Sequence, residues 1–279
     1  LALKDFPQIN SFLLQFAFHR QSTPEGPLEL IILGSGSSYP DFRRSAPATA
    51  VLSNGATILV DAGEGCMRQM IRYQVPWDNL DAILITHFHN DHIAGLIPLL
   101  FSMQLFSKRK RPLIIAGPPG LTAYLQSFEQ NNEKWLGEMP FELQLIELQS
   151  NSPLTIGTDL TATPFEVAHK KVSFGYRIES EGKVIAFSGD SSYCDALLDI
   201  AKDAHIFCCE SGYPDNAPNP NHMTWSEIGR LAAQADVEGL LLTHFGKTAD
   251  PKLMTEIISS KFEGRFLLAR DGMNFDTKD

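Results

Sequence analysis

The chain has 279 residues, 43% hydrophobic and 20% charged, enough to bury one large core or two coupled halves of a soluble protein. Its 23 Lys+Arg stand against 33 Asp+Glu, a formal net charge of -10 that is unfavourable for capture of a polyanion by the surface as a whole. No apolar run reaches the ~20 residues of a membrane span, and the four cysteines (Cys66, Cys194, Cys208, Cys209) lack CxxC spacing, which suits core packing in a reducing cytoplasm rather than a cysteine-bound structural zinc.

In chain order, Ser11 to Phe18 reads as a helix in an N-terminal extension, residues 1–27, that packs on a single domain spanning 1–279. It follows an acidic Asp5 and precedes no small-residue cleavage site, so a cytoplasmic location is expected, although a start at Leu1 is also compatible with a removed signal. Apolar runs predict strands at Leu28–Leu33, Ala48–Ser53, Thr57–Val60, Ala82–Ile85 and Leu113–Ala116. A second set is predicted at Phe141–Leu148, Leu160–Val167, Ser173–Ile178, Val184–Phe187, Ile206–Cys209, Gly239–Leu242 and Arg265–Leu268. Helices are predicted over Glu64–Tyr73, Ile93–Phe106, Pro119–Gln130, Tyr193–Ala201, Thr224–Ala235 and Pro251–Lys261. This alternation predicts an α/β fold of two mixed sheets face to face with helices outside. Between these elements, Lys108–Arg111 reads as a solvated basic loop, Asn131–Pro140 as a loop, and the turn-rich Asp215–Asn221 as a candidate lid. Gly34-Ser-Gly-Ser-Ser lacks a Walker lysine and the full dinucleotide pattern, so it is weak as a nucleotide motif.

The densest chemistry lies in Thr86-His87-Phe88-His89-Asn90-Asp91-His92, in the turn that leaves the predicted strand Ala82–Ile85. Two residues apart in an extended segment, His87 and His89 point to one side and can hold one ion. Asp91 and His92 follow the bend and can reach a second. Imidazole and carboxylate together suit zinc, with manganese or iron also accepted by such donors. A surface histidine-rich turn is the bland alternative, and its polar desolvation beside a buried strand argues against it. His169, Asp190 and His244 each end a predicted strand. Singly, they also read as a solvent-facing turn residue, a helix N-cap and a hydrogen-bonded core histidine.

These segments, in this order and spacing, resemble the metallo-β-lactamase superfamily and, within it, the RNase Z-like branch of phosphodiesterases. The resemblance runs through Leu33-Gly-Ser-Gly-Ser-Ser-Tyr-Pro with Arg43-Arg44-Ser-Ala, Leu59-Val-Asp-Ala-Gly-Glu-Gly and the histidine cluster. It continues through Pro164-Phe-Glu-Val-Ala-His, Phe174-Gly-Tyr-Arg-Ile, Phe187-Ser-Gly-Asp-Ser, Asn221-His-Met-Thr and Leu242-Thr-His-Phe. It implies an αββα four-layer sandwich with two divalent metal ions. His87, His89 and His169 would hold the first ion, Asp91, His92 and His244 the second, and Asp190 would bridge them. Asp61 resembles an outer carboxylate that orients a ligand histidine, though locally it reads equally well as a helix N-cap, and Glu210 resembles another outer carboxylate of this branch. His222 matches a histidine that contacts phosphate and protonates the leaving oxygen, with an ordinary helix flank as the alternative, and Asp91 can accept a proton from the attacking water while it holds metal. Metal lowers the pKa of bound water from ~15.7 toward ~7, and two ions clamp nucleophile and phosphoryl oxygen.

The chain also departs from the pattern. His169 and Asp190 are 21 positions apart, which leaves room for a hairpin turning at Glu181-Gly182 but not for the long arm of tRNA-processing relatives. The residues after His244 lack the Ser-Ser-Arg-Tyr-like continuation. With the acidic balance, this makes a small or cyclic phosphodiester credible beside RNA 3′ processing, with Arg43, Arg44, Lys170 and Lys171 placed to bind phosphate. The partners implied are such a diester or an RNA, no membrane, and at most a second copy in a homodimer. The alternative enzyme reading is hydrolysis of a carbonyl substrate (lactone, thioester or β-lactam). A di-iron reductase would carry glutamate in place of His89, and a catalytically silent metal-binding protein would have lost ligands that are all present here.

Overall fold

The structure is a computed structural model that describes residues 28–131 and 135–277. The N-terminal extension and its expected helix lie outside the described residues. A first sheet is built from β1 (Glu29–Gly34), β2 (Ala48–Leu52), β3 (Thr57–Val60), β4 (Ala82–Leu84), β5 (Leu113–Gly117) and β6 (Leu143–Glu147). A second is built from β7 (Leu154–Ile156), β8 (Leu160–Val167), β9 (Ser173–Ser180), β10 (Lys183–Phe187), β11 (Ile206–Glu210), β12 (Gly239–Thr243) and β13 (Arg265–Leu268). The chain then crosses back, and β14 (Asn274–Asp276) pairs antiparallel with β1 at the edge of the first sheet. The strand orders are β14-β1-β2-β3-β4-β5-β6 and β13-β12-β11-β10-β9-β8-β7.

Three apolar clusters define four layers. The central one joins Leu30, Ile58 and Leu84 of the first sheet to Leu160, Tyr176 and Ile185 of the second. The outer two pack the first sheet on helices α1 (Cys66–Arg72), α3 (Leu96–Phe106) and α4 (Leu121–Asn131), and the second on α5 (Ala196–Ala201), α6 (Trp225–Gln234) and α7 (Pro251–Ser259); between α1 and α3 lies the one-turn α2 (Asn90–Ile93). This is the expected αββα sandwich. Because central strands are covered on both faces, β1 and β2 are buried at every position and read in sequence as continuous apolar runs. Two bonds tie the sheets beside the site: Tyr176 donates its hydroxyl to Ile85 O at 2.7 Å, and Phe174 N donates to Thr86 O at 2.9 Å.

Four local expectations are corrected. The helix expected over Ile93–Phe106 breaks at Ala94–Gly95, so Asp91 and His92 sit in α2 rather than in an open turn. A Cβ at Gly95 would stand 2.2 Å from Gly63 O, and the Gly95 N–H donates to Ala62 O, so this break presses the histidine segment onto the loop carrying Asp61. Three-residue strands β7 and β14 form where none was predicted. The stretch expected as a loop after Asn131 contains a short 3-10 turn, Trp135–Glu138. Finally, the basic run is not simply solvated: buried Arg109 donates to Leu80 O and Pro112 O at 2.7 Å each, and Arg111 pairs with Asp81 and Asn79. The hairpin β9–β10 turns at Glu181 and Gly182, both at positive φ, where the sequence places it.

Candidate metal centre

Every prospective ligand leaves the C-terminal end of a strand, so both sheets contribute to one rim, where α/β sheets bind ligands. Asp61 follows β3 and His87 and His89 follow β4. From the second sheet come His169 after β8, Asp190 after β10, Glu210 as the last residue of β11 and His244 directly after β12. Asp61 and His244 have φ of 57° and 58°, a left-handed conformation that Asp and His tolerate better than most residues. In that conformation both side chains turn inward.

The seven residues expected to hold metal form two adjacent groups. His87, His89, His169 and Asp190 each offer a ligand atom, all within 4.8 Å of one another, and Asp91, His92 and His244 do the same. In the first group, His87 Nε2 is 2.8 Å from His89 Nδ1, which is 3.3 Å from His169 Nε2. In the second, His244 Nε2 is 3.2 Å from His92 Nε2 and 3.4 Å from Asp91 Oδ2. Asp190 lies between them, with Oδ1 3.4 Å from His92 Nε2 and Oδ2 3.5 Å from His244 Nε2 and 3.8 Å from His87 Nε2.

The outer contacts fix which ring nitrogens face inward. His92 Nδ1 is 2.7 Å from Asp61 Oδ2, and His169 Nδ1 is 3.1 Å from Asn221 O, so each donates outward and turns its Nε2 lone pair to the centre. Thr86 Oγ1 donates to Asp61 and lies 3.0 Å from His87 Nδ1, which orients that ring in the same way. Nitrogen pairs as close as 2.8 and 3.2 Å need a proton or a cation between them. The donor set therefore fits borderline divalent metals.

The protonation tendencies differ between the groups. Burial pushes His87 down to about 2 and also lowers His89 and His169, keeping all three imidazoles neutral and ready to ligate. Burial acts on His92 and His244 too, but Asp190, with Asp61 beside His92 and Asp91 beside His244, holds both above the ordinary histidine value. Burial likewise resists charge on Asp91, yet the His244 hydrogen bond and the His92 charge hold it at about 2.

His222 and Glu210 form a dyad at the edge of the centre, where Glu210 also offers an oxygen within 4.8 Å of ligand atoms of Asp190 and His244. His222 Nδ1 is 2.5 Å from Glu210 Oε2, and Glu210 Oε1 accepts from Ser191 N at 2.8 Å, next to Asp190. The expected outer carboxylate thus orients His222 rather than a metal-facing histidine. The His222 ring lies 5.4 Å from that of His169 and 6.1 Å from that of His244. Burial alone would depress His222, but the hydrogen bond and charge of Glu210 hold its proton above the ordinary value.

Sequence reasoning assigned no role to Thr86, Asn221 or Asp271. The first two lie inside the motif segments but act through a hydroxyl and a backbone carbonyl, which residue type does not announce. Asp271 accepts from Ser35 N and Oγ, Ser45 N and Gln69 Nε2, all at 2.7–2.9 Å, stapling the β1–β2 loop to α1. Of the cations expected to bind phosphate, Arg44 is instead committed to Ser35 Oγ and Ala269 O and lies over Phe245, and Arg43 pairs with Asp41. Lys170 and Lys171 are exposed next to His169. Outside the centre, His205 accepts from Val184 N at Nδ1 and faces Glu238.

Known proteins share this fold and part of this sequence. The chain is 28% identical over 272 residues to a ribonuclease Z from Methanosarcina mazei, covering 78% of this chain and 87% of that protein. Its fold superposes on human short-form tRNase Z (ELAC1) with a TM-score of 0.74 at 25% identity, covering 90% of this chain and all of the other. The metallo-beta-lactamase fold protein YhfI from Bacillus subtilis shares the fold with a TM-score of 0.76 at 24% identity and the same coverage. Residues 56–245, well over half of the chain and spanning every prospective ligand, match the beta-lactamase superfamily domain, and the chain belongs to that superfamily.

Proposed function

We propose that this protein is a two-metal phosphodiesterase. The observation that carries the reading is the convergence of seven imidazole and carboxylate side chains with their free ligand atoms turned inward, with a histidine–glutamate dyad at their edge. These residues would hold two divalent cations, zinc suiting the donors best, and the cations would supply an acidified water and a charge to polarise a phosphoryl oxygen.

The protein's own groups do the rest. His87, His89, His169 and Asp190 would hold one cation, and Asp91, His92, His244 and the shared Asp190 the other. Asp61 fixes the ring of His92. Asp91, held ionised, can accept a proton from the attacking water. His222, anchored at Nδ1 by Glu210, keeps its Nε2 proton for the departing oxygen. A dedicated acid has more to do for an alkoxide leaving group than for ring opening of an activated carbonyl, and this supports the phosphodiester reading over a lactone or β-lactam. The relatives named ribonuclease Z point the same way and support RNA 3′ processing as the activity.

Metal-loaded protein is to be assayed on bis(p-nitrophenyl) phosphate, cyclic nucleotides, precursor tRNA, a lactone and a β-lactam. Turnover of phosphodiesters is expected, and turnover of the carbonyl substrates alone would reverse the substrate class. His222→Ala is expected to lower kcat on cyclic nucleotides or precursor tRNA, whose leaving oxygen is an alkoxide, by about 10²–10⁴-fold with metal content unchanged, and to affect bis(p-nitrophenyl) phosphate far less because p-nitrophenolate leaves unprotonated. Full turnover of the alkoxide-leaving substrates in that variant would remove the acid assignment.

A further inference from the structure

Helix α3 differs from the other helices of the outer layers. Among the described helices it alone carries no charged residue. Its Leu96, Leu99, Leu100 and Met103 are buried in the core on the first sheet. The opposite side shows Pro98, Phe101 and Leu105, spaced as one stripe, with Phe106 beside them. Phe101 is 48%, Leu105 55% and Phe106 72% exposed. By contrast, α6 shows Arg230 and Gln234 to water, and α7 shows Lys252 and Glu256. A helix that is apolar on every side is one that is covered on every side.

The area of the face selects what can cover it. Three partly exposed large side chains present on the order of 300 Å², well below the ~800 Å² per partner of a stable interface between separate chains. A segment tethered to the same molecule needs far less, because a short link holds it at a high effective concentration. The chain before β1 supplies such a segment. Ile9, Phe12, Leu13 and Phe16 fall at i, i+3, i+4 and i+7, the spacing of one helical face, and Pro7 stands where a helix can start. Seven residues, Gln21 to Pro27, then lead to Leu28 and include Pro24, Gly26 and Pro27, which suit a link rather than an element.

The link also ends in the right place. β1 is antiparallel to β2, β2 is antiparallel to β3, and β3 is parallel to β4, so β1 runs in the same direction as β4. β1 therefore begins at the edge of the first sheet away from the metal centre, the edge at which α3 ends before the chain enters β5. The path from Leu28 to α3 crosses three strand spacings, roughly 14 Å, and one layer spacing of about 10 Å. Seven extended residues span up to roughly 23 Å, more than the diagonal of that path.

We propose that residues 7–18 form an amphipathic helix that docks on the outer face of α3, with Ile9, Phe12, Leu13 and Phe16 covering Phe101, Leu105 and Phe106.

Hydrogen–deuterium exchange of the full metal-loaded chain, followed peptide by peptide, tests the placement. Residues 7–18 should exchange at least about tenfold more slowly than residues 21–26 after correction for intrinsic rates. Leu105→Glu/Phe106→Glu should return residues 7–18 to the unprotected rate. Leu267→Glu, at an exposed leucine of the second sheet, should leave them protected. Phe12→Ser/Phe16→Ser should in turn speed exchange across Leu96–Phe106, and this pair carries the test if the α3 pair does not fold. Absence of protection over residues 7–18 overturns the inference, as does protection that survives Leu105→Glu/Phe106→Glu in folded protein, or an α3 indifferent to Phe12→Ser/Phe16→Ser. Protection that appears only as concentration rises, with a dimer mass in light scattering, gives the face to a second copy and overturns it too. So does a segment that becomes protected only on phosphatidylcholine–phosphatidylglycerol vesicles.

Discussion

Asp61 shows how much one buried carboxylate governs. It accepts from Thr86 N and Thr86 Oγ1 and holds His92 Nδ1, so it sets the loop and the ring together. Asp61→Asn keeps the size but loses the charge, and metal affinity is expected to fall about 10–100-fold, measured by competition with a chromophoric chelator, while far-UV circular dichroism stays unchanged. The two halves of the centre should also differ towards acid. Ligation needs neutral imidazole, and His92 and His244 keep their protons above the ordinary histidine value, so protons compete with metal there through and above that range. His87, pushed down to about 2, does not compete at all. Metal affinity should therefore rise with pH across neutrality and then level off. Calorimetry in buffers of different ionisation enthalpy should find net proton release near pH 7, and no release would contradict this protonation scheme.

At the level of elements, the site depends on loops pressed together at strand ends. The break between α2 and α3 is needed because Gly95 packs against the Ala62–Gly63 backbone, with Ala62 N donating to His92 O at 2.8 Å. Gly95→Ala is expected to cost about 1–3 kcal/mol by overpacking, read as a lowered urea midpoint, and to loosen metal binding with it. The capping box of Thr224 and Glu227 starts α6 two residues after His222 and so limits how far that histidine can drift. Strands with an apolar run were legible: Thr57–Val60, Leu160–Val167 and Arg265–Leu268 form with the predicted bounds. β7 and β14 were not, because three residues with little apolar pattern become strands only when a neighbour supplies the ladder.

Across the whole molecule, alternation within β11 sends Cys208 into the core between the sheets and Cys209 into the core under the helices. Burial pushes the Cys66 thiol up to about 12 and raises Cys208 and Cys209 as well, while Cys194 is partly exposed. Ellman's reagent should titrate one thiol rapidly in the folded protein and all four in guanidinium, and rapid reaction of more than one would show the layers to be open. The distribution of charge is a property of this same scale. A total of -10 gave no reason to expect Arg68, Arg72, Lys247 and Arg270 to line one cleft with Asp91, because composition sums over the surface whereas a ligand meets one face of it.

From the sequence alone came the two facing sheets and the histidine cluster, while the place of His169, Asp190 and His244 as prospective ligands came from the resemblance to the metallo-β-lactamase superfamily. Apolar period and run length encode which strands are covered on both faces, and closely spaced histidines and acids after a strand carry their own chemical signature. Only the tertiary structure decided which atom of each ligand faces inward, that Glu210 serves His222, that Arg44 and Arg109 are structural, and that four cations and Phe42 share the opening beside Asp91. Those outcomes depend on hydrogen bonds and approaches between residues up to 225 positions apart, such as Arg44 with Ala269, and local pattern does not record such distances.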